Sequence, residues 1–217
     1  MDLRFNRDGA QRHEGLLDAQ DLSRLEAQLA KLPADRPGVR IGANHLSGLE
    51  RVTAIAADAI GAHARPVRAV LFDKTVSTNW NLGWHQDRTI VVRQRVDTPG
   101  FGPWSVKDGL QHVEPPFEII AAMVTARIHL DPVDADNAPL MIAPGSHRRG
   151  RVPVAEIDGE IGRLGMTTCL AQPGDVWLYA TPILHASLPA TNPRRRRVLQ
   201  IDFSAGELPG GLQWLGL

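Results

Sequence analysis

Apolar residues in the first third of the chain recur at helical spacing. Four leucines lie three or four positions apart, namely Leu22, Leu25, Leu29 and Leu32. This spacing predicts an amphipathic helix with Asp21 as its candidate N-cap. A second helix is predicted over 48–63, where apolar residues again share one face and Ser47 can cap the first turn. The pattern therefore predicts a helical N-terminal part over about 1–65.

Beyond Pro66 the pattern changes to short apolar runs separated by turn residues. Seven runs are predicted strands: 67–72, 83–87, 119–130, 140–143, 167–170, 175–179 and 198–203. The residues between them are rich in Gly, Pro, Asp and Asn, as in DADNAP, PGSH and QPGD. Because no linker or repeat divides the chain, the pattern predicts a single domain over 1–217. Its helices come first, and a β-sandwich or barrel follows over about 67–205.

Composition and charge limit the classes of protein to which this chain can belong. Hydrophobic residues make up 43% and charged residues 22% of the 217 positions, which is ordinary for a globular protein with a sizeable core. The formal net charge is zero, which gives no support for a nucleic-acid or membrane-surface partner. A charged N-terminus and the lack of a long apolar run favour a cytoplasmic protein. The single cysteine, Cys169, excludes an intramolecular disulfide and a multi-cysteine metal site.

Candidate chemistry is concentrated in the segment WHQD at 84–87. In a strand, side chains two residues apart lie on the same face, so His85 and Asp87 can converge on one metal ion. A more distant imidazole would complete a facial triad, which is typical of non-haem Fe(II) oxygenases. His185 follows a predicted strand and a turn at Pro182, and it is the candidate third ligand. Because a lone His-x-Asp also occurs by chance on surface strands, the metal interpretation depends on this context.

Four consecutive arginines at 194–197 lead into the last predicted strand. Such a run is usually a solvated patch. Alternate residues of a strand face opposite sides, so one pair can point inward and bind a carboxylate through bidentate hydrogen bonds. Strand parity alone leaves open which pair does so.

Taken together, the motifs resemble the phytanoyl-CoA dioxygenase family of Fe(II)/2-oxoglutarate-dependent oxygenases over about 67–205. The resemblance is carried by WHQD at 84–87, NAPLMIAPGSH at 137–147, PGDVWLY at 173–179, and HAS at 185–187 followed by the arginines. It implies a mainly β fold with N-terminal helices. That fold is a double-stranded β-helix, a cupin-like jelly roll with helices packed on one sheet. It also implies that His85, Asp87 and His185 are the metal ligands and the catalytic centre.

The resemblance further implies the cofactors Fe(II), 2-oxoglutarate and O2. The distal carboxylate of 2-oxoglutarate would bind Arg196 and Ser187. The family has an arginine eleven residues after the distal histidine, which selects Arg196, although a loop insertion would move the role to Arg195 or Arg197. The implied reaction is hydroxylation of a small-molecule substrate with release of succinate and CO2. Hydroxylation is favoured over halogenation because related halogenases have a small residue where this chain has Asp87.

One departure from the family pattern lies in the hairpin at 137–147. The family has Asn-Gly-Pro-Leu where this chain has Asn-Ala-Pro-Leu, so Ala138 replaces a conformationally free turn residue. We expect an altered hairpin that still forms, with His147 stabilising it. Trp177 and Tyr179 alternate with apolar residues and are expected in the core.

Four further residues are candidate substrate contacts. Trp104 and His112 lie in the long segment 97–116, which is either a binding loop or a packed surface excursion. Arg127 lies on the polar face of the strand predicted over 119–130 and faces either the barrel interior or a surface carboxylate. Lys74 ends the strand before the metal site and is either solvated or within reach of the co-substrate.

Two other functions remain open at this point. A metal-dependent cupin-like enzyme that does not use 2-oxoglutarate would have three or four His or Glu ligands. A non-catalytic jelly-roll binding protein would carry the His-x-Asp pair by chance. The sequence does not indicate an oligomeric state.

Overall fold

The computed structural model describes residues 2–33, 36, 38–42 and 45–217. Within these residues the α-helices are α1 (Phe5–Asp8), α2 (Ala19–Leu29), α3 (Glu50–Ile60), α4 (Phe117–Ala121) and α5 (Ile157–Leu164). Short 3-10 helices span Ser146–Arg149 and Val154–Glu156. Each described helix is too short or too polar to cross a bilayer.

Thirteen strands are present in the described residues. They are β1 (Ala10–His13), β2 (Gly38–Ile41), β3 (Arg65–Lys74), β4 (Leu82–His85), β5 (Ile90–Val92), β6 (Trp104–Lys107), β7 (Leu110–Val113), β8 (Val124–His129), β9 (Leu140–Ile142), β10 (Thr167–Cys169), β11 (Val176–Ala180), β12 (His185–Ser187) and β13 (Arg196–Ser204).

The strands form three antiparallel sheets. The major sheet has the order β1-β11-β8-β13-β3-β2, the minor sheet β10-β9-β12-β4, and a small third sheet β5-β7-β6. The major and minor sheets meet in a buried apolar cluster that contains Trp177 and Tyr179 of one sheet and Leu140 and Ile142 of the other. Two antiparallel sheets packed in this way form a jelly roll, which confirms the predicted mainly β, cupin-like fold.

The strands of the major sheet have one apolar face and one mixed face, on which polar side chains lie beside Trp177 and Tyr179. Leu199 and Ile201 of β13 pack in the largest apolar cluster together with Leu25 of α2 and Val52 of α3. The alternate residues of β13, among them Asp202, lie on the opposite face, towards the minor sheet. The helices therefore cover one face of the major sheet, and the other face carries buried polar side chains together with the apolar cluster shared with the minor sheet.

The N-terminal part differs in detail from the prediction. Asp18, rather than Asp21, is the N-cap of α2, because its side chain accepts hydrogen bonds from the backbone N–H groups of Gln20 and Asp21, both at 3.0 Å. Asp21 lies one turn further on and completes a capping box by accepting from the Asp18 N–H at 3.4 Å. The part is also not purely helical, since β1 and β2 form the two edges of the major sheet.

Two other predicted elements begin later than expected. α3 starts at Glu50, after Leu49 as N-cap, and Ser47 instead donates its backbone N–H to the side chain of Gln28 at 2.8 Å. The strand predicted over 119–130 is a strand only from Val124, because the residues after Pro116 form α4. Proline at the start of a helix has the backbone φ that the helix needs, which favours α4 at this point.

The turn before β11 requires a glycine. Gly174 has a φ of +88° and donates its backbone N–H to the carbonyl of His129 at 2.9 Å. Its own carbonyl accepts from the N–H of Leu17 at 3.1 Å. A Cβ atom at this position would lie 2.3 Å from the carbonyl oxygen of Leu17. The contact ties the segment before α2 to the major sheet.

We expect Gly174→Ala to lower the free energy of unfolding by about 3 kcal/mol or more, since a left-handed penalty of about 1–2 kcal/mol adds to a steric clash in a packed region. Gly109→Ala is the matched control, because Gly109, in the two-residue turn between β6 and β7, has a φ of +76° but nothing within 4 Å of an added Cβ. Its cost should be about 1–2 kcal/mol. Denaturant unfolding of both variants measures the difference, and equal losses would contradict the importance of the contact with Leu17.

Candidate metal centre and co-substrate pocket

Three side chains converge where β4 ends and β12 begins. His85 and His185 lie directly opposite each other in the pairing of β4 with β12, and their ring centroids are 4.3 Å apart. Asp87 follows two residues after His85, beyond the end of β4. One ligand atom from each of the three residues lies within 4.8 Å of the other two. The structure thus brings together the three residues that the sequence predicts as metal ligands.

Backbone carbonyls orient both imidazoles. Nδ1 of His85 is 2.8 Å from the carbonyl of Gly83, and Nδ1 of His185 is 2.9 Å from that of Ile183. A carbonyl only accepts, so each Nδ1 carries the proton and each Nε2 keeps its lone pair free for a metal. Burial lowers the pKa of His185 to about 4, so this imidazole is neutral at physiological pH.

The carboxylate of Asp87 completes a donor set that fits Fe(II). Burial alone would raise the pKa of Asp87, but Arg68 and the two imidazoles together hold it below its usual value. Its Oδ2 atom is buried without a hydrogen-bond partner. Two neutral imidazoles and one ionised carboxylate that face one point are the ligand set of a facial triad.

A buried hydroxyl and a buried guanidinium lie next to this cluster. Ser187 follows His185 by two residues in β12, and its Oγ donates to the carbonyl of Ala138 at 3.0 Å. Arg196 is 2% exposed, donates from Nη1 to the same carbonyl, and has an Nε without a partner. Burial, with some help from Arg127, lowers the pKa of Arg196 to about 9, which still leaves it cationic at neutral pH.

The other three arginines of the run lie at the surface. Each forms an ion pair with outer carboxylates: Arg194 with Asp134 and Asp136, Arg195 with Asp73, and Arg197 with Asp131 and Glu26. Among the described residues no carboxylate forms such a pair with Arg196. Of the alternatives that the sequence left open, the structure turns Arg196 inward and Arg195 and Arg197 outward.

The backbone conformation of Ala138 places the carbonyl oxygen that accepts hydrogen bonds from Ser187 and Arg196. It has a φ of +53°, the left-handed conformation for which the family pattern uses glycine. This conformation costs an alanine about 1–2 kcal/mol. The turn nevertheless forms, and the carbonyl of Ala138 accepts from both side chains.

Lys74 is buried beside Arg196 rather than solvated. It is 3% exposed and lies directly opposite Arg196 in the pairing of β3 with β13. Its Nζ donates to the carbonyl of Trp80 at 2.9 Å and to Ser187 Oγ at 3.3 Å. Burial, together with Arg196 and Arg127, lowers the pKa of Lys74 to about 7.

Arg127 faces the barrel interior, which decides between its two possible orientations. Its Nη1 donates to Gln200 at 2.9 Å, and its guanidinium lies 5.3 Å from the ring centre of Phe72. Like Lys74 and Arg196, it has no ion pair with a carboxylate in the described part of the chain. The three residues form a cluster of buried basic side chains without an acidic partner, an arrangement that favours binding of an anion.

Trp104 and His112 lie on the third sheet, outside the sheet that carries His85 and His185. The segment 97–116 folds into the β6–β7 hairpin, and Trp104 packs in its apolar cluster with the guanidinium of Arg95 5.4 Å from its ring. His112 is buried in β7, and neither ring nitrogen has a partner. Burial, and to a smaller extent the nearby charge of Arg68, lowers the pKa of His112 to about 4.

Sequence reasoning missed several polar residues around the triad. Tyr179, expected only in the core, has its ring 5.8 Å from that of His185, and its buried hydroxyl lacks a partner. Arg68 lies 3.6 Å from the carboxylate of Asp87. The available signal was strand parity, because Arg68 shares one face of β3 with Lys74.

Comparison with protein families gives one match over most of the chain. The family described as phytanoyl-CoA dioxygenase (PhyH) matches residues 5–198. A comparison with curated protein sequences gives no significant match.

Solved structures with the same fold include three with informative descriptions. SnoN, a non-heme alpha ketoglutarate dependent epimerase from nogalamycin biosynthesis, has a TM-score of 0.65 at 18% identity, covering 96% of this chain and 88% of that one. HygX from Streptomyces hygroscopicus, with nickel, 2-oxoglutarate and hygromycin B bound, has a TM-score of 0.63 at 15% identity, with 92% and 84% covered. EctD from S. alaskensis, in its apoform, has a TM-score of 0.64 at 18% identity, with 92% and 74% covered.

The structural neighbours establish the shared fold, and the family match establishes the relationship. The family match spans both the N-terminal helices and the strands that carry the triad. The cofactors expected from the sequence, Fe(II), 2-oxoglutarate and O2, are those of the matching family. We conclude that the chain belongs to the phytanoyl-CoA dioxygenase family of Fe(II)- and 2-oxoglutarate-dependent oxygenases.

Proposed function

We propose that this protein hydroxylates a small-molecule substrate in a reaction that depends on Fe(II) and 2-oxoglutarate and releases succinate and CO2. One observation carries the proposal. The ligand atoms of His85, Asp87 and His185 lie within 4.8 Å of one another, next to a buried arginine that has no acidic partner. A co-substrate with two carboxylate groups requires a metal triad and an anion site next to each other.

The three ligands would hold the metal through two Nε2 atoms and one carboxylate oxygen. Because they occupy one side of the ion, the remaining coordination positions stay open. With 2-oxoglutarate and O2, bound Fe(II) supplies the oxidation that inserts oxygen into a C–H bond. The fixed Nδ1 hydrogen bonds to Gly83 and Ile183 keep both imidazoles in the ligating orientation.

Arg196 and Ser187 would bind the distal carboxylate of 2-oxoglutarate, and Lys74 would add a second cation on the same side. The guanidinium offers a planar donor fork, and its buried surroundings of low dielectric constant strengthen its attraction for an anion. Ser187 is two residues from His185 in one strand, so the pocket can bind one end of a short diacid while the other end faces the metal. Arg127 would contribute further positive potential from the neighbouring strand β8.

For the substrate, His112 keeps a proposed role and Trp104 is assigned to packing. The two unpartnered nitrogens of His112 need a polar group, and a bound substrate can supply one. HygX, which has the same fold, holds hygromycin B, a small molecule. For this chain we propose only the chemical class of the substrate, a small organic molecule.

The two alternative functions explain the pocket less well. A cupin-like metal enzyme without 2-oxoglutarate would have no use for the cation cluster of Lys74, Arg127 and Arg196. A non-catalytic jelly roll would gain nothing from burying these three cations without an acidic partner, because an unpaired buried charge destabilises a fold.

The direct experiment is an anaerobic titration of the protein with Fe(II) and then 2-oxoglutarate. We expect the weak visible charge-transfer band of the chelate in the wild type and its loss in His85→Ala, since two ligands hold Fe(II) poorly. Fe(II) binding without a band on addition of 2-oxoglutarate would favour the cupin-like enzyme. Absence of Fe(II) binding would favour the binding protein.

The arginine run provides a matched pair of variants for the co-substrate site. Arg196→Met should weaken 2-oxoglutarate binding by about 10- to 100-fold, because hydrogen bonds to charged groups contribute about 1.5–3 kcal/mol. Arg195→Met removes the same charge from the next residue, whose side chain pairs with Asp73 at the surface, and should leave the affinity nearly unchanged. Calorimetry on the Fe(II)-loaded protein measures both. A similar loss in the two variants would show that only overall charge matters.

A further inference from the structure

Asp87 lies on a stretch of chain that no strand pairing holds. β4 ends at His85 and β5 begins at Ile90, so residues 86–89 lie outside the sheets. A carboxylate ligand on such a stretch needs other contacts to keep its orientation, because metal affinity depends on how well the ligands are preorganised. The buried side chain of Gln86 and the half-buried side chain of Arg68 supply these contacts.

Gln86 anchors the backbone of this stretch to the loops that face it. Its Nε2 donates to the carbonyl of Gly150 at 3.0 Å and to that of Pro182 at 2.7 Å. Its Oε1 accepts from the N–H of Val152 at 2.9 Å. These contacts fix where the chain runs but do not touch the carboxylate of Asp87.

Arg68 of β3 contacts both the carboxylate and the backbone of the stretch. Its Nη2 is 3.6 Å from Asp87 Oδ2, and its Nη1 donates to the carbonyl of Thr89 at 3.3 Å. Its Nε is 2.5 Å from Oδ2 of Asp202. The guanidinium therefore connects the metal-binding stretch to the major sheet.

Asp202 fixes Arg68 in this position. The two residues lie directly opposite each other in the pairing of β3 with β13. The other carboxylate oxygen of Asp202 accepts from Thr125 at 3.0 Å, and Thr125 lies 3.0 Å from the hydroxyl of Thr181. Because Asp202 balances its charge, Arg68 can orient Asp87 without adding net charge to the centre.

We infer that Arg68, held by Asp202, is a positioning residue that keeps the Asp87 carboxylate in its metal-ligating orientation. The inference rests on the proposed role of Asp87 as a ligand. Arg68 itself touches neither the metal nor the substrate in this role, and it acts through Asp87. Its contribution should therefore appear in metal affinity before any turnover is considered.

The test must keep the charge near the metal constant. Removing Arg68 alone would leave Asp202 as an unpaired anion, which would itself attract a divalent cation. The double variant Arg68→Met/Asp202→Asn removes the ion pair while the net charge stays the same. The probe is Ni(II), titrated calorimetrically into the metal-free protein, because imidazole and carboxylate sites bind Ni(II) more tightly than Fe(II).

We expect the double variant to bind Ni(II) about 10- to 100-fold more weakly than the wild type, as is typical when a group that orients a ligand is lost. Arg12→Met/Asp175→Asn is the matched control. It removes another Arg–Asp pair of the major sheet, at 2.6 Å, that touches none of the three ligands. The affinity of this control for Ni(II) should stay at the wild-type value.

A second pair of variants separates positioning from a general loss of structure. In an Asp87→Ala background the Arg68→Met/Asp202→Asn change should cause no further loss, because the residue through which it acts is gone. Arg68→Lys keeps the charge but lacks the fork that reaches both carboxylates, and should bind Ni(II) about tenfold more weakly even if the double variant fails to fold.

The possible results separate the inference from the proposed function. Wild-type affinity in both Arg68 variants, or an equal loss in the presence and absence of Asp87, would overturn the positioning role alone. Failure of the wild-type protein to bind Ni(II) would overturn the proposed metal centre and the inference with it.

Discussion

The pairing of β4 with β12 places two imidazoles opposite each other, and the rest of the candidate site is arranged around this contact. His85 and His185 occupy matching positions of two adjacent strands, so their separation is set by the sheet itself. Continuing along β12 leads to Ser187 and the buried cations, and continuing beyond β4 leads to Asp87. A metal triad and an anion pocket thus come from the same strand pair.

The major sheet supports this arrangement by keeping its two faces chemically distinct. The apolar face is covered by α2 and α3, which supplies the hydrophobic stabilisation of the fold. The opposite face carries the buried Arg127 and Asp202 and the half-buried Arg68, and desolvation of these charges is costly unless each finds a partner. Asp202 forms an ion pair with Arg68 within the protein. We propose that the inner cations pair with an anion from outside the protein, so that their unfavourable burial in the empty pocket would increase the affinity for the co-substrate.

The sequence identified candidate residues most readily where the motif is local. His85 and Asp87 are two residues apart, and Arg196 lies at a family spacing from His185, so short motifs identified all of them as candidates. The change from helical to strand pattern near Pro66 likewise marked the fold class. The N-cap of α2 was placed one turn too late because Asp18 and Asp21 are both good capping residues, and only the backbone contacts distinguish them.

Features that depend on the register between distant strands could not be predicted in this way. Arg68 and Asp202 meet only because β3 pairs with β13, and the same pairing buries Lys74 beside Arg196. An arginine or lysine in a strand is solvated in most proteins, so Arg68 was not singled out and the choice for Lys74 stayed open between solvent and the co-substrate. The burial of His112 arises in the same manner from the pairing of β7 with β5.

The most direct test of the central claim is a crystal structure of the protein grown anaerobically with Fe(II) and 2-oxoglutarate. The proposed function predicts metal density bonded to Nε2 of His85, Nε2 of His185 and one oxygen of Asp87. It also predicts the distal carboxylate of 2-oxoglutarate on Arg196 and Ser187. Metal bound elsewhere, or 2-oxoglutarate away from Arg196, would contradict it.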